Sequence, residues 1–228
     1  MKQRITIEVV SDVVCPWCYI GKRRMEKAID ILRDKFEFEV TFSPFELNPD
    51  MPPQGTDQKA YLTAKFGGTE KYEQITAHVA GVARGEGLSF DFSKQNVSPN
   101  TRDAHRIIML AAAHNVQPAV NEALMKAYFE EGIDLSSRDE LISIAVQAGL
   151  NKKDLTEMFA TDGFLTDVIS REQINYQRGI SGVPFFIINN KYGVSGAQPT
   201  AAFIEIFNQV VSEVIPQGET CDPNGKNC

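Results

Sequence analysis

The stretch Ile5-Thr6-Ile7-Glu8-Val9-Val10, followed by Cys15-Pro16-Trp17-Cys18 and then by Met25, Ala28, Ile29 and Leu32, places two thiols where a strand gives way to a helix. The first segment alternates and is rich in β-branched residues, as a strand requires, and the last four residues recur at helical spacing. A helix start presents unpaired amides and the positive end of the helix dipole, and both stabilise a thiolate. Cys15 is therefore the expected nucleophile. Cys18, three residues on, is placed to attack a mixed disulfide at Cys15 and release the substrate. The same pair could be half of a zinc site, but that needs two more ligands of similar spacing. His78, His105 and His114 are scattered and no second CxxC exists, so no metal is expected. The three histidines read as surface or satisfied core residues.

Composition narrows the partners. The chain has 228 residues, 43% hydrophobic and 23% charged, enough for one sizeable core or a small domain carrying an insertion. Its net charge of −7, with no basic run to compensate, argues against nucleic acid and anionic membrane surfaces. Met1-Lys2-Gln3-Arg4 runs straight into the charged first strand without the apolar stretch of a secretory signal. The expectation is a cytoplasmic protein, where a reducing environment makes thiol pairs catalytic or redox-sensing rather than structural.

After a helix running to about Lys35, Phe36 to Phe45 reads as a second strand that completes a βαβ unit, stopped by Pro44 and Pro49. Asn48 to Gly55, dense in proline and glycine, marks a boundary. From Thr56 to Ala160 the pattern is helical almost throughout, with Asn100 before Asp103, Ser137 before Glu140 and Asn151 before Asp154 as cap signals. A helix over Gly163 to Arg178 leads through Gly182-Val183-Pro184 into the short buried strand Phe185-Phe186-Ile187-Ile188. Asn189-Asn190-Lys191 is a turn, Tyr192-Gly193-Val194 pairs back, and a closing helix from Pro199 carries Phe203, Ile206, Phe207, Val210 and Val214 on one face. The divisions are 1–55, 56–160, 161–215 and a cysteine-containing tail, 216–228.

This order of elements resembles the thioredoxin fold, and the helical block between its halves resembles the DsbA-like branch: an α/β thioredoxin fold with a large all-helical insertion. More closely, Ser11-Asp12-Val13-Val14-Cys15-Pro16-Trp17-Cys18-Tyr19-Ile20-Gly21, Asn100-Thr101-Arg102-Asp103-Ala104-His105-Arg106 and Gly182-Val183-Pro184-Phe185-Phe186 are similar to the FrnE-type DsbA-family oxidoreductases. The superfamily also holds kappa-class glutathione transferases and 2-hydroxychromene-2-carboxylate isomerases. Those relatives generally carry serine where Cys15 stands.

The resemblance implies a thiol-disulfide oxidoreductase or isomerase acting on protein or peptide disulfides, recycled by a reductase or by glutathione, with no bound cofactor and glutathione at most a co-substrate. It also implies a cis Val183-Pro184 bond facing the thiols, where the Val183 backbone pairs with an extended substrate. Pro16 and Trp17 line the same substrate site, Trp17 either touching substrate or covering the second sulfur. A buried acid in related folds relays protons to the second cysteine, a role for which Glu8 and Asp12 compete. Two rivals remain: a glutathione-dependent transferase or isomerase of small aromatic compounds, and a redox-regulated, chaperone-like binding module.

The tail holds the other two cysteines. Asp222-Pro223-Asn224-Gly225 fits the four positions of a type I turn that brings Cys221 and Cys228 together. From Ile215 the tail extends up to roughly 43 Å, against a radius of gyration near about 17 Å for a compact chain of this length. A second redox pair within reach of Cys15 is expected.

Overall fold

A computed structural model describes residues 2–212. The tail pair Cys221 and Cys228, and Val214, which the sequence assigns to the closing helix, lie outside the described residues. At the centre, β1 (Gln3–Ser11) pairs in parallel with β2 (Phe36–Pro44), from Gln3 opposite Phe36 to Ser11 opposite Pro44. A parallel pair needs a crossover, and α1 (Pro16–Leu32) supplies it. On its other edge β1 pairs antiparallel with β5 (Phe185–Ile188), which pairs antiparallel with β6 (Tyr192–Ser195), giving the order β2-β1-β5-β6. Asn189 and Asn190 turn between β5 and β6 with φ of 50° and 53°, the left-handed region that asparagine tolerates.

Val9, Val10 and Ser11 are buried in succession, so the C-terminal end of β1 is covered on both faces. That end feeds the cysteines. The closing helix α9 (Thr200–Ser212) packs beside α1 and sets Phe203 against Phe186 of β5, ring centroids 4.8 Å apart.

Between β2 and β5 come α2 (Gln58–Phe66), α3 (Thr69–Gly85), α4 (Arg102–Ala113), α5 (Gln117–Lys126), α6 (Arg138–Gln147), α7 (Lys152–Ala160) and α8 (Leu165–Gln177). A π-helical turn, Ala127–Glu131, continues α5. Two short strands, β3 (Thr56–Asp57) and β4 (Val97–Ser98), pair antiparallel. Three sequence expectations shift. The first helix ends at Leu32, three residues before Lys35, whose amide closes a turn on the Leu32 carbonyl at 2.9 Å. Residues 86–101 are not helical: Asp91, Gln95 and Ser98 bond or pair with neighbouring elements instead. The cap of α4 is Thr101, because Asn100 is held outside the helix, donating to the Met51 carbonyl and accepting from the Arg102 amide. Ser137 and Asn151 cap α6 and α7 as read. Gly55, with φ of 71°, ends the boundary segment where a Cβ would lie 2.7 Å from the Ser98 carbonyl oxygen.

Candidate active site

Cys15 is the N-cap of α1 and Pro16 opens the helix, a position where its missing amide costs nothing. The Cys15 amide donates to the Asp12 carbonyl at 3.1 Å, and its own carbonyl accepts from Cys18 at 3.0 Å and Tyr19 at 3.4 Å. These bonds fix the thiol at the helix mouth. Its Sγ lies 3.8 Å from the carbonyl oxygen of Val183, and the Val183-Pro184 bond is cis. Gly21, nearly two turns along α1 from Cys15, lets the helix sit this close. A Cβ there would lie 3.2 Å from Pro184 and from Phe186, and 3.3 Å from the Ala197 backbone.

The two sulfurs differ. Cys15 is 4% exposed and Cys18 wholly buried. Burial first, then the hydrogen bond and charge of Cys15, push the Cys18 thiol well above its ordinary range, and the charge of Asp12 adds to this. A hydrogen bond from the Asp12 backbone acts in the opposite sense. Trp17 is half-buried, its ring 6.3 Å from that of exposed His78 on α3, so part of the helical block stands over the CxxC. Beside it, Asp12, Val14, Leu47, Met51, Tyr61 and Lys65 line part of a cleft of about 80 Å³.

Of the two acids, Asp12 stands beside the thiols and Glu8 is turned to other partners. Glu8 faces Arg178, the residue that ends α8, at 3.1 Å and Arg171 on α8 at 3.9 Å. Asp12 is 1% exposed, accepts from the Leu47 amide at 2.8 Å, and meets His105 Nε2 at 3.5 Å. His105 is thus a buried core residue that also contacts the Phe45 carbonyl at 3.2 Å. Sequence reading missed Glu46 and Glu172, which join this group. Glu46 pairs with Arg102 at 2.9 Å, and its charge and that of Glu172 act on His105. The one signal was the segment Asn100 to Arg106, whose polar side chains turn out to tie α4 to the sheet end and to α7. Arg106 donates to the carbonyls of Met158, Thr161 and Gly163, each at 2.8 Å.

A thiol pair at the helix mouth, opposite a cis proline and under a helical block, is matched from residue 6 to residue 207 by the model of the DSBA-like thioredoxin domain. The chain belongs to that family. Among DsbA-like proteins of known structure, a probable DsbA oxidoreductase from Streptomyces coelicolor is 31% identical, covers 97% of each chain and superposes with a TM-score of 0.87. The uncharacterized protein YwbO of Bacillus subtilis is 26% identical over 212 residues, 92% of this chain and 96% of that one. The cytosolic disulfide reductase DsbM of Pseudomonas aeruginosa, solved with GSH, shares the fold at 14% identity and a TM-score of 0.64, over 90% of this chain and 99% of that one.

Proposed function

We propose that this DsbA-like chain is a FrnE-type thiol-disulfide oxidoreductase or isomerase that works on protein and peptide disulfides through Cys15 and Cys18. The observation that carries the reading is the Cys15 thiol at the N-cap of α1 with the Val183 carbonyl beside it. The thiolate of Cys15 attacks a substrate disulfide, one substrate sulfur leaves as a thiolate, and a mixed disulfide forms. Cys18 gives up its proton and attacks the Cys15 sulfur. The mixed bond breaks, the second substrate sulfur leaves as a thiolate, and two electrons have passed from the CxxC to the substrate. A reductase or glutathione returns them, so no metal or bound organic cofactor is needed. Pro16, Trp17 and the Val183-Pro184 backbone hold the substrate chain, and the cleft beside Val14 gives it a place to enter.

The site of action is the cytoplasm. DsbM, a cytosolic disulfide reductase solved with GSH, shares the fold and supports both the compartment and the reductant. Among the described residues no helix is long and apolar enough to cross a membrane. Cys221 and Cys228 form a second redox pair that exchanges with Cys15, and peptide mapping of oxidised protein tests this linkage. The main test is insulin-disulfide reduction with glutathione as reductant. Wild-type protein is expected to turn over many equivalents and Cys15→Ser none. Retained turnover in Cys15→Ser overturns the reading.

A further inference from the structure

Two carboxylates of the helical block grip the redox helix on the turns that follow Cys18. Glu122 of α5 accepts from three groups of α1: Tyr19 Oη at 2.7 Å, Arg23 Nη2 at 2.6 Å and the buried ammonium of Lys22. Glu86, the residue that caps the end of α3, accepts from Arg24 Nε and from Lys27 Nζ, each at 2.6 Å. The cations all stand on α1 and these two acids on the block. The same two elements carry the cover of the thiols. His78 of α3 stands against Trp17, and Tyr128, on the π-helical turn that continues α5, lines the cleft beside Val14 with Tyr61 and Lys65 of α2. Phe129, next to Tyr128, stacks on Phe90, which stacks on Tyr19. Where Glu86 and Glu122 sit on α1 therefore sets how closely the block covers Cys15.

This grip can open without stranding a charge. Lys22 also meets Glu26 Oε1 at 2.6 Å and Arg23 meets Glu26 Oε2 at 2.9 Å, so both keep a carboxylate on their own helix when Glu122 withdraws. Arg24 keeps the Ala197 carbonyl at 2.7 Å, and the Lys27 side chain is exposed. Breaking a buried ion pair is costly when it leaves a charge bare, and here none is left bare. The arrangement described is the closed one: Cys15 is 4% exposed, and the adjoining cleft holds about 80 Å³. Attack on a disulfide requires one of its sulfurs to come into contact with the Cys15 sulfur. A short peptide or a glutathione-sized disulfide can thread into such a cleft. A disulfide held on a folded surface brings that surface with it.

We propose that Glu122 and Glu86 are positioning residues that select substrates by size. With both seated on α1 the site takes small and unfolded disulfides, and disulfides on folded proteins react only when the block lifts. The inference rests on the dithiol reading above and deepens it by naming the substrate class. The glutamates take no part in the exchange of bonds. They set the fraction of molecules open to a large partner, and the rate with such a partner scales with that fraction. Insulin reduction by the wild-type chain then runs through the open form. Because Glu122, Arg23, Arg24 and Glu86 are partly exposed, salt weakens their pairing and raises the open fraction. Small disulfides need no opening and gain nothing from it.

The test uses the full chain with Cys221→Ser and Cys228→Ser, reduced, and one coloured aromatic thiol linked by a disulfide to either of two carriers. One carrier is a short uncharged peptide, the other a small folded domain of near-zero net charge with a single surface cysteine. The Cys15 thiolate attacks the carrier sulfur, the coloured thiolate leaves, and the carrier stays on Cys15 as a mixed disulfide. Stopped flow reads the colour, and each rate is divided by that of free glutathione with the same carrier. Release from the peptide at the same rate in Cys15→Ser refutes the dithiol reading itself. With that reading intact, the peptide is expected to react at least about tenfold faster than the domain. Glu122→Gln with Glu86→Gln is expected to raise the domain rate about tenfold and leave the peptide rate within about twofold. A fall in both rates, an unchanged ratio, or a starting chain that takes both carriers equally overturns the proposal. Salt needs no change at the glutamates. From about 0.05 M to about 1 M NaCl the domain-to-peptide ratio is expected to rise several-fold with both glutamates present and to stay flat with both replaced. A ratio that salt does not move with both glutamates present overturns selection by size at these residues.

Discussion

Cys15 and Cys18 are three residues apart and chemically unlike, because one caps the helix and the other is enclosed by it. The Cys15 sulfur stands at the mouth, with the Val183 carbonyl as neighbour. Cys18 has no exposed surface, and burial holds its thiol well above the usual range. Since only the thiolate is alkylated, iodoacetamide at about pH 7 is expected to label Cys15 at least about tenfold faster than Cys18. Peptide mass spectrometry of a time course checks this, and equal rates contradict it. The place of Cys15 at the start of α1 was legible in the sequence, since strand, cap and helix patterns converge on it. The surroundings of Asp12 were not: Glu46 and Glu172 sit 126 positions apart, and nothing in the local pattern of either announces that the charge of each acts on His105.

At the scale of elements, α1 is a lever between the core and the site. Its buried face rests on the sheet and on α9, while Gly21 lets it approach Pro184 and Phe186. Gly21→Val puts atoms where backbone and a packed ring already stand, and such overpacking costs about 1–3 kcal/mol. The expected outcome is a lower denaturation midpoint together with slower reaction at Cys15, because the helix mouth moves away from Val183. Phe203 makes the complementary case: it is fully buried, with rings of Phe186 and Phe207 at 4.8 and 6.0 Å. Phe203→Ala is expected to cost about 3–5 kcal/mol in urea unfolding. The strands and most helices were readable because their apolar period matches burial. The helix end at Leu32 and the cap at Thr101 were not, because tertiary partners such as Met51, bonded to Asn100, outweigh local propensity at element ends.

For the whole molecule, the buried acids give stability a pH dependence with a definite sign. Glu172 and Glu46 have folded-state values raised above their unfolded ones, both by burial first. The folded form then holds protons that the unfolded chain has released, so stability falls as pH rises from about 4.5 toward about 7. His105 is also raised, and its contribution, fully present below about 6.5, is lost as pH rises through its folded value. Glu86 and Glu122 run the other way. Burial opposes their charge, but Lys27 and Arg24 hold Glu86 low, and Lys22 and Tyr19 with Arg23 hold Glu122 low, so their stabilisation is lost below about pH 4.5. The melting temperature is thus expected to peak on the acid side of neutrality and to fall toward pH 8, with a shallower fall in Glu172→Gln. Calorimetry across that range checks it, and a melting temperature that rises from pH 6 to 8 contradicts it. The division of labour between the two thiols is tested most directly by trapping. Cys18→Ser, incubated with a peptide disulfide and mapped by mass spectrometry, is expected to carry the peptide on Cys15 as a lasting mixed disulfide. A peptide found on Cys221 or Cys228 instead, or no adduct at all, would contradict attack by Cys15.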